Sequence, residues 1–159
     1  MHAVSRTDWL LFLHITGAFL LVGGSVAAAT FTILARRRER PSQIAEFLRL
    51  VRVALPLIYG GVLLTLVFGL WLVHDTGYSY GDAWIVAALV LWVAGNALGG
   101  IGGSREEKTR ELAERLAAAD DVATPELGAR LRDPVSLALN FGSGLAVLAV
   151  LALMIWKPS

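Results

Sequence analysis

The sequence predicts an all-α membrane protein: a bundle of four transmembrane helices, with a charged cytoplasmic helix between helices three and four. Two observations predict this class. The composition is 56% hydrophobic and 17% charged, with a mean hydropathy of +0.63, whereas soluble domains have about 45–50% apolar and about 25% charged residues. Four separate apolar runs are also each close to the roughly 20 residues that an α-helix needs to cross a bilayer.

The first apolar run, residues 9–34, has 26 residues without an acidic or basic side chain other than His14. We expect the first transmembrane helix at about 9–35, with Asp8 as its N-cap. It ends in an arginine-rich turn before Pro41, which cannot continue a helix. An ionisable residue inside such a run is a candidate functional residue.

The stretch 43–55 follows the arginine-rich turn and places its apolar side chains on one helical face. We expect it to lie on the membrane surface as a short segment that leads into the second span. The second and third spans are predicted at about 56–74 and 83–101. A short polar turn joins them and ends at Asp82, a suitable N-cap.

The segment 104–119 is charged, has high helix propensity and begins with the capping-box pattern that places Glu107 at the third helical position. Glu111 and Arg115 are four residues apart, so we expect them to form an ion pair. The segment is therefore predicted to be a separate cytoplasmic helix. The fourth span is expected at about 135–156.

Lysine and arginine residues are distributed unevenly between the connections. The positive-inside rule places basic connections in the cytoplasm, so both chain termini are expected outside. We predict one integral membrane domain, residues 1–159, in a bacterial cytoplasmic (inner) membrane. The bilayer is the expected partner, a homo-oligomer or a membrane partner protein is left open, and no nucleic acid is expected. The connections after spans one and three hold twelve of the fourteen basic residues: Arg36, Arg37, Arg38, Arg40, Arg49, Arg52, Arg105, Lys108, Arg110, Arg115, Arg130 and Arg132.

Small residues at helical spacing predict close packing, because helices in lipid associate through van der Waals contact and interhelical hydrogen bonds. Asn96 and Asn140 lie at similar depth in spans three and four. We expect each to bond the other or a neighbouring carbonyl group as a structural link. The glycines assigned to helix packing are Gly61, Gly69, Gly95 and Gly99.

The histidines carry the candidate chemistry. His14 and His74 are expected on the outer side of the membrane, and their Cβ directions converge because helical side chains tilt toward the N-terminus. Imidazole is a common metal ligand and binds haem iron. We therefore predict an outward-facing site that binds haem b or, as the second choice, copper. In this site Gly17 and Gly24 are expected to leave room beside His14, and Trp71 is expected to pack against a porphyrin. In the competing interpretations both histidines are structural, or they handle protons or ions.

Other classes of chemistry have little support in the sequence. The chain contains no cysteine, which excludes disulfides and thiolate metal sites. We find no Ser/His/Asp set and no paired carboxylates. The predicted spans contain no Asp, Glu, Lys or Arg, which argues against a pump. His2 is expected to be a tail residue without a role, and whether the protein is an enzyme stays open.

Three sequence motifs resemble those of known families. LHITGAFLLVGG, around His14, resembles the LHxxGxxxxxGG pattern of the CopD-like copper-resistance membrane proteins. GLWLV followed by GYSYGDAWIVAALVLW, with the terminal LMIWKP, is similar to a bacterial integral-membrane family named domain of unknown function 2269, which has no assigned activity. Its wider relatives include copper-handling proteins and a haem-associated protoporphyrinogen oxidase with a first-helix histidine that matches His14. The chain has half or fewer of the spans of the copper proteins and only two methionines, so copper import is not expected.

Two function hypotheses remain at this stage. The first is a small redox or metal-handling membrane protein acting at His14 and His74. The second is a non-catalytic membrane subunit or scaffold acting through the charged helix at 104–119, which is long for a mere connection. An absorption spectrum tests the first hypothesis, and co-purification of a partner protein in mild detergent tests the second.

Overall fold

A computed structural model describes residues 5–157 and forms five α-helices in that range. Four of its helices are long and apolar enough to cross a membrane when the short α4 is counted with α5. The all-α class and the number of spans are thereby confirmed, while His2 lies outside the described residues. The helices are α1 Arg6–Arg36, α2 Pro41–Asp75, α3 Ala83–Ala118, α4 Pro125–Leu131 and α5 Pro134–Trp156.

The two ends of the molecule differ in character. At one end, which we call the terminal end, Lys157 donates to the Tyr78 hydroxyl, so the end of α5 lies beside the α2–α3 turn. At the other, which we call the charged end, the connection between α1 and α2 meets the residues around α4. There Ser42 donates to the Asp121 carboxylate through both its backbone N–H and its hydroxyl.

The start of α1 differs from the prediction that Asp8 is the N-cap. Ser5 is the N-cap, and Asp8 is the third helical residue. The Ser5 hydroxyl accepts from the Asp8 backbone N–H, and the Asp8 carboxylate accepts from the Ser5 backbone N–H at 2.9 Å. This reciprocal pair satisfies two N–H groups that a helix start otherwise leaves without partners.

The helix α2 runs unbroken from Pro41 to Asp75, so the separate surface segment predicted for residues 43–55 is wrong. Proline inside a helix removes one backbone hydrogen bond, but α2 continues through Pro56. Ile44 and Leu48 are buried at 1% and 4% exposure. The apolar face of this stretch therefore packs against the protein rather than against the membrane surface.

The charged segment predicted as a separate cytoplasmic helix is the second half of α3, which runs from Ala83 to Ala118 without a break. Its expected capping box does not form, because Ser104 lies within the continuous helix and is not an N-cap; the Glu107 carboxylate bonds Arg110. The expected ion pair between Glu111 and Arg115 is also wrong: Arg115 donates to the Glu111 backbone carbonyl oxygen at 3.4 Å. The segment is helical, but it is part of the third span's helix.

The long helices form two tight antiparallel pairs, α1 with α2 and α3 with α5, joined mainly through contacts of α2 with α3. Glycine allows the backbones of each pair to approach closely. A Cβ on Gly61 would clash with the Leu21 backbone nitrogen and lie 2.7 Å from the Gly17 carbonyl oxygen. In the second pair, a Cβ on Gly95 would lie 2.9 Å from the Ala146 Cβ, and one on Gly99 would lie 3.0 Å from the Ser143 Oγ.

A buried hydrophobic cluster lies at the charged end, and we call it the charged-end core. It joins α1, α2, α3 and α4, so the helices are packed at this end like a small soluble domain. By contrast, the apolar windows of the four spans are at most 22% buried, which leaves most of their surface to the surroundings. The members of the charged-end core are Ala35, Ile44, Ala45, Leu48, Leu112, Ala113 and Leu127.

Candidate functional site

The half-buried His14 of α1 faces α2. Its Nδ1 lies 2.9 Å from the Thr65 backbone carbonyl oxygen. Because a carbonyl oxygen only accepts, Nδ1 carries the proton and donates, and the neutral ring keeps an unprotonated Nε2. Gly69 provides the space for the ring, since a Cβ there would lie 2.9 Å from His14 Cε1. The site is thus one oriented imidazole with one free lone pair.

The room expected beside His14 at Gly17 and Gly24 is filled by α2. A Cβ on Gly17 would lie 2.6 Å from the Thr65 backbone nitrogen, and one on Gly24 would lie 2.9 Å from the Ile58 Cγ1. Both glycines therefore serve the close approach of α1 to α2 and leave no space on that side for a bulky cofactor.

His74 does not share the face of α2 that contacts His14. It is exposed and lies five residues beyond Gly69, which places it about 140° around the helix at about 100° per residue. Trp71 is 43% exposed and already has partners. The Arg6 guanidinium lies 5.2 Å above its ring, and Phe68 stacks on it at 6.4 Å.

The ends of α1 and α2 at the terminal end are joined through Asp75. Its carboxylate accepts a short hydrogen bond from the Thr7 hydroxyl and lies 3.7 Å from the Arg6 Nε. The same Arg6 side chain covers Trp71. These contacts assign the polar residues near His74 to helix docking at the terminal end.

The described residues offer one metal ligand at His14 rather than a metal cluster. From residue 5 to residue 157, no three His, Cys, Asp or Glu side chains come together as a group that could hold an ion. A single imidazole is enough for one axial bond to haem iron, whereas copper sites use several protein ligands. By number of ligands alone, His14 is closer to a haem ligand than to a copper site, but α2 fills the space beside it at Gly17 and Gly24.

A half-buried polar cluster that the sequence did not predict joins three helices near the charged end; we call it the Glu106 cluster. Glu106 of α3 accepts from the Asn140 amide of α5 at 2.7 Å and from the Thr32 hydroxyl of α1 at 3.3 Å. The Asn140 Oδ1 occupies the space where a Cβ on Gly102 would stand. Glu106 follows Gly102 by four residues, so it continues the face of α3 that packs against α5.

The two asparagines have different environments and do not bond each other. Asn140 belongs to the Glu106 cluster. Asn96 is exposed, and its amide donates to the Trp92 backbone carbonyl oxygen of its own helix at 2.7 Å. Asn96 therefore bonds a nearby carbonyl group, which was one of the two expected outcomes. Asn140 bonds neither Asn96 nor a carbonyl group.

An ion-pair network fixes α2 against the charged half of α3. Arg110 is buried, with 9% of its side chain exposed, and it bonds Glu107 at 2.6 Å and Glu114 at 2.5 Å. Arg49 of α2 reaches the same Glu114 carboxylate at 2.7 Å. Arg52 lies 3.7 Å from Glu107. A buried arginine with two carboxylates keeps its charge compensated, so the network holds the helix pair in one arrangement.

The connection after α3 is anchored by Asp121. Its carboxylate accepts the Ser42 backbone N–H at 2.7 Å and the Ser42 hydroxyl at 2.8 Å. These two bonds hold the pKa of Asp121 below its usual value. The carboxylate therefore caps the N-terminus of α2 from a distant part of the chain, which favours the helix because unpaired N–H groups face an anion.

Comparison with known proteins gives one finding. A family model described as "Predicted integral membrane protein (DUF2269)" matches residues 8–158. No curated protein and no solved structure matches the chain.

Proposed function

We propose that this chain, which belongs to the DUF2269 family of predicted integral membrane proteins, is a non-catalytic membrane subunit that holds a partner protein on its charged end. We place this end in the cytoplasm of a bacterial cell by the positive-inside rule. The observation that carries the proposal is the packed, ion-paired structure at that end, which is far more elaborate than a connection between two spans requires.

The charged end is preformed. The helices α2 and α3 extend past their apolar runs and bury the charged-end core together with α4. Arg110 bonds Glu107 and Glu114 within α3, and Arg49 crosses from α2 to the same Glu114. A rigid surface loses little conformational entropy when a partner binds, so a preformed end favours docking.

The surface of α3 at this end presents a row of charges that we call the α3 charged face: Lys108, Glu111 and Arg115. These residues are exposed and recur at helical spacing along one side of α3. Within residues 5–157 none of the three forms an ion pair with another side chain. A partner with complementary charges would find these groups available, and such charges determine specificity and association rate.

Charge reversal tests the docking surface without disturbing the fold. The variant Lys108→Glu, Glu111→Lys and Arg115→Glu is expected to reduce co-purification of the partner in mild detergent by about ten-fold or more. A matched control reverses two exposed charges of the α1–α2 connection, Arg37→Glu with Glu39→Lys, and should leave the yield of partner unchanged. Equal partner yield from the two variants, or a wild-type protein that purifies alone, contradicts the proposal.

A second candidate function has one specific observation in its favour. Histidines that ligate metals usually donate their other ring nitrogen to a carbonyl or carboxylate, which fixes the tautomer and raises ligand basicity. His14 donates in this way to Thr65, so its Nε2 is the atom that would hold the iron of haem b. Haem would supply one-electron chemistry, and the chain would orient the ligand. A copper site with His74 is the weaker form of the same proposal, because His74 faces another side of α2.

Absorption spectroscopy of the purified protein tests this second function. A Soret band that shifts on reduction with dithionite, disappears in His14→Ala and persists in the control His74→Ala supports haem ligation by His14. Loss of the band in both variants supports haem held by both histidines instead. Metal analysis of the purified protein tests the copper site. A colourless, metal-free protein that stays unchanged after addition of hemin or copper refutes both forms.

A further inference from the structure

We propose that two copies of this chain associate in the membrane through the face of α3 that bears Asn96, with the two Asn96 carboxamides hydrogen-bonded to each other. We call this surface the Asn96 face; it consists of Val93, Asn96 and Gly100. The inference is independent of the proposed function, because it concerns the spans and not the charged end.

The carboxamide of Asn96 has hydrogen-bonding groups without a partner in the chain, and lipid cannot supply one. Its side chain is exposed inside the apolar 83–101 stretch of α3. One amide hydrogen is used by the Trp92 carbonyl oxygen of the same helix, and the Asn96 side chain forms no other hydrogen bond with any residue from 5 to 157. A second N–H and the Oδ1 are left to the surroundings. Hydrocarbon offers neither donor nor acceptor, so a protein partner at this position is favoured.

The neighbouring residues allow a second helix to come close enough. A Cβ on Gly100 would meet nothing within 4 Å, and Gly100 lies one turn after Asn96 on the same side of α3. This differs from Gly95 and Gly99, whose equivalent positions are in contact with α5. Val93, one turn before Asn96, is 60% exposed. Small residues that admit a backbone, beside a polar side chain, are the features that hold membrane helices together.

The chemistry of the carboxamide identifies the occupant as a second copy. An amide offers both N–H donors and a carbonyl acceptor, so it can pair with another amide in both directions at once. A two-fold axis places the same surface patch on both subunits, and a residue near the axis meets its own copy. Asn96 is therefore self-complementary across such an axis, as a charged side chain would not be.

Disulfide cross-linking tests the Asn96 face, because the chain has no cysteine of its own. Two differently tagged copies carrying Val93→Cys are co-expressed and oxidised in native membranes. The matched control is Ala94→Cys, which is also exposed but lies about 160° around α3 from Asn96. We expect at least about ten-fold more cross-linked pair from Val93→Cys than from Ala94→Cys, as the interface places one face of α3 against its copy.

Adding Asn96→Val to Val93→Cys tests whether the Asn96 amide is needed for the cross-link. We expect the cross-linked fraction to fall about ten-fold, while the thermal unfolding of the isolated chain stays unchanged because Asn96 bonds only its own helix. Filling the open space with Gly100→Leu should reduce cross-linking in the same way. The proposal is overturned by equal cross-linking at the two cysteines, by cross-linking that survives Asn96→Val, or by a product that contains another protein in place of the second tagged copy.

Discussion

Asn140→Ala removes the amide that connects α5 to the half-buried carboxylate of Glu106. In the intact protein the Asn140 Nδ2 donates to Glu106 Oε1 at 2.7 Å, and the Thr32 hydroxyl donates to the other carboxylate oxygen. The variant leaves Oε1 without its donor in a partly buried position between three helices. It also creates space beside Gly102, where the asparagine side chain packs. The pairing of α3 with α5 should therefore weaken.

The size of the effect follows from the kind of bond that is lost. Hydrogen bonds to charged groups contribute about 1.5–3 kcal/mol, and a buried acceptor left without a donor costs a similar amount. We expect Asn140→Ala to lower the free energy of unfolding by about 2 kcal/mol, equivalent to roughly a 30-fold change in the folding equilibrium. Asn96→Ala is the matched control when both variants are unfolded as monomers, since within one chain its amide bonds only the Trp92 carbonyl of its own helix, and it should then change stability by less than about 0.5 kcal/mol.

A double-mutant cycle isolates the bond between the two side chains. Asn140→Ala, Glu106→Leu and the double variant are unfolded by titrating sodium dodecyl sulfate into mixed micelles, with tryptophan fluorescence as the signal. Residues in one hydrogen-bonded network show coupling energies of about 0.5–3 kcal/mol, and we expect about 1–2 kcal/mol here. Coupling indistinguishable from zero, with additive single effects, would refute the assignment of Glu106 and Asn140 as interacting partners.

Two further predictions concern helix packing and the charged end. Gly61→Ala should lower the free energy of unfolding by about 1–3 kcal/mol, because the added Cβ collides with the backbone of Leu21. The control Gly60→Ala places its Cβ in open space and should be nearly neutral. Equal losses of stability in the same detergent titration would contradict the close contact at Gly61. The lowered pKa of Asp121 predicts that its bonds to Ser42 stabilise the fold at neutral pH and are lost as the pH falls through the pKa of the folded state, which lies below the usual value for aspartate. Asp121→Asn should therefore show a smaller loss of thermal stability between about pH 5 and pH 2 than the parent, and identical pH profiles would contradict this role.

The spans could be predicted because their signal is local and strong. A run such as residues 9–34 is apolar along its whole length, and hydrophobic length alone defines a candidate span. The helix boundaries at the charged end could not be predicted in the same way. Pro56 and the capping-box pattern before Glu107 both indicate a break, yet α2 and α3 continue through them. The packing of α2 and α3 in the charged-end core outweighs these local preferences, which are worth about 1–3 kcal/mol each.

The polar contacts were harder to predict because they depend on which helices become neighbours. The bond from His14 to a backbone carbonyl was one of the structural interpretations of that residue, but the sequence does not identify Thr65 as its partner. Glu106 was assigned to a solvated helix and was not recognised as a buried residue. The spacing of Gly95, Gly99 and Gly102 continues to Glu106 at the next turn, so extending the packing face by four residues would have indicated its burial.

The docking role of the charged end is tested most directly by labelling single cysteines with a membrane-impermeant maleimide. Ala118→Cys is exposed one turn beyond the α3 charged face and leaves its charges intact, Arg37→Cys reports the α1–α2 connection, and Ser79→Cys reports the terminal end. A cytoplasmic charged end that holds a partner predicts labelling of Ser79→Cys in intact cells and of the other two only after permeabilisation. Ala118→Cys should then react several-fold more slowly in native membranes than after purification, whereas Arg37→Cys reacts equally in both. Labelling of Ala118→Cys from outside intact cells, or an equal rate before and after purification, would contradict that role.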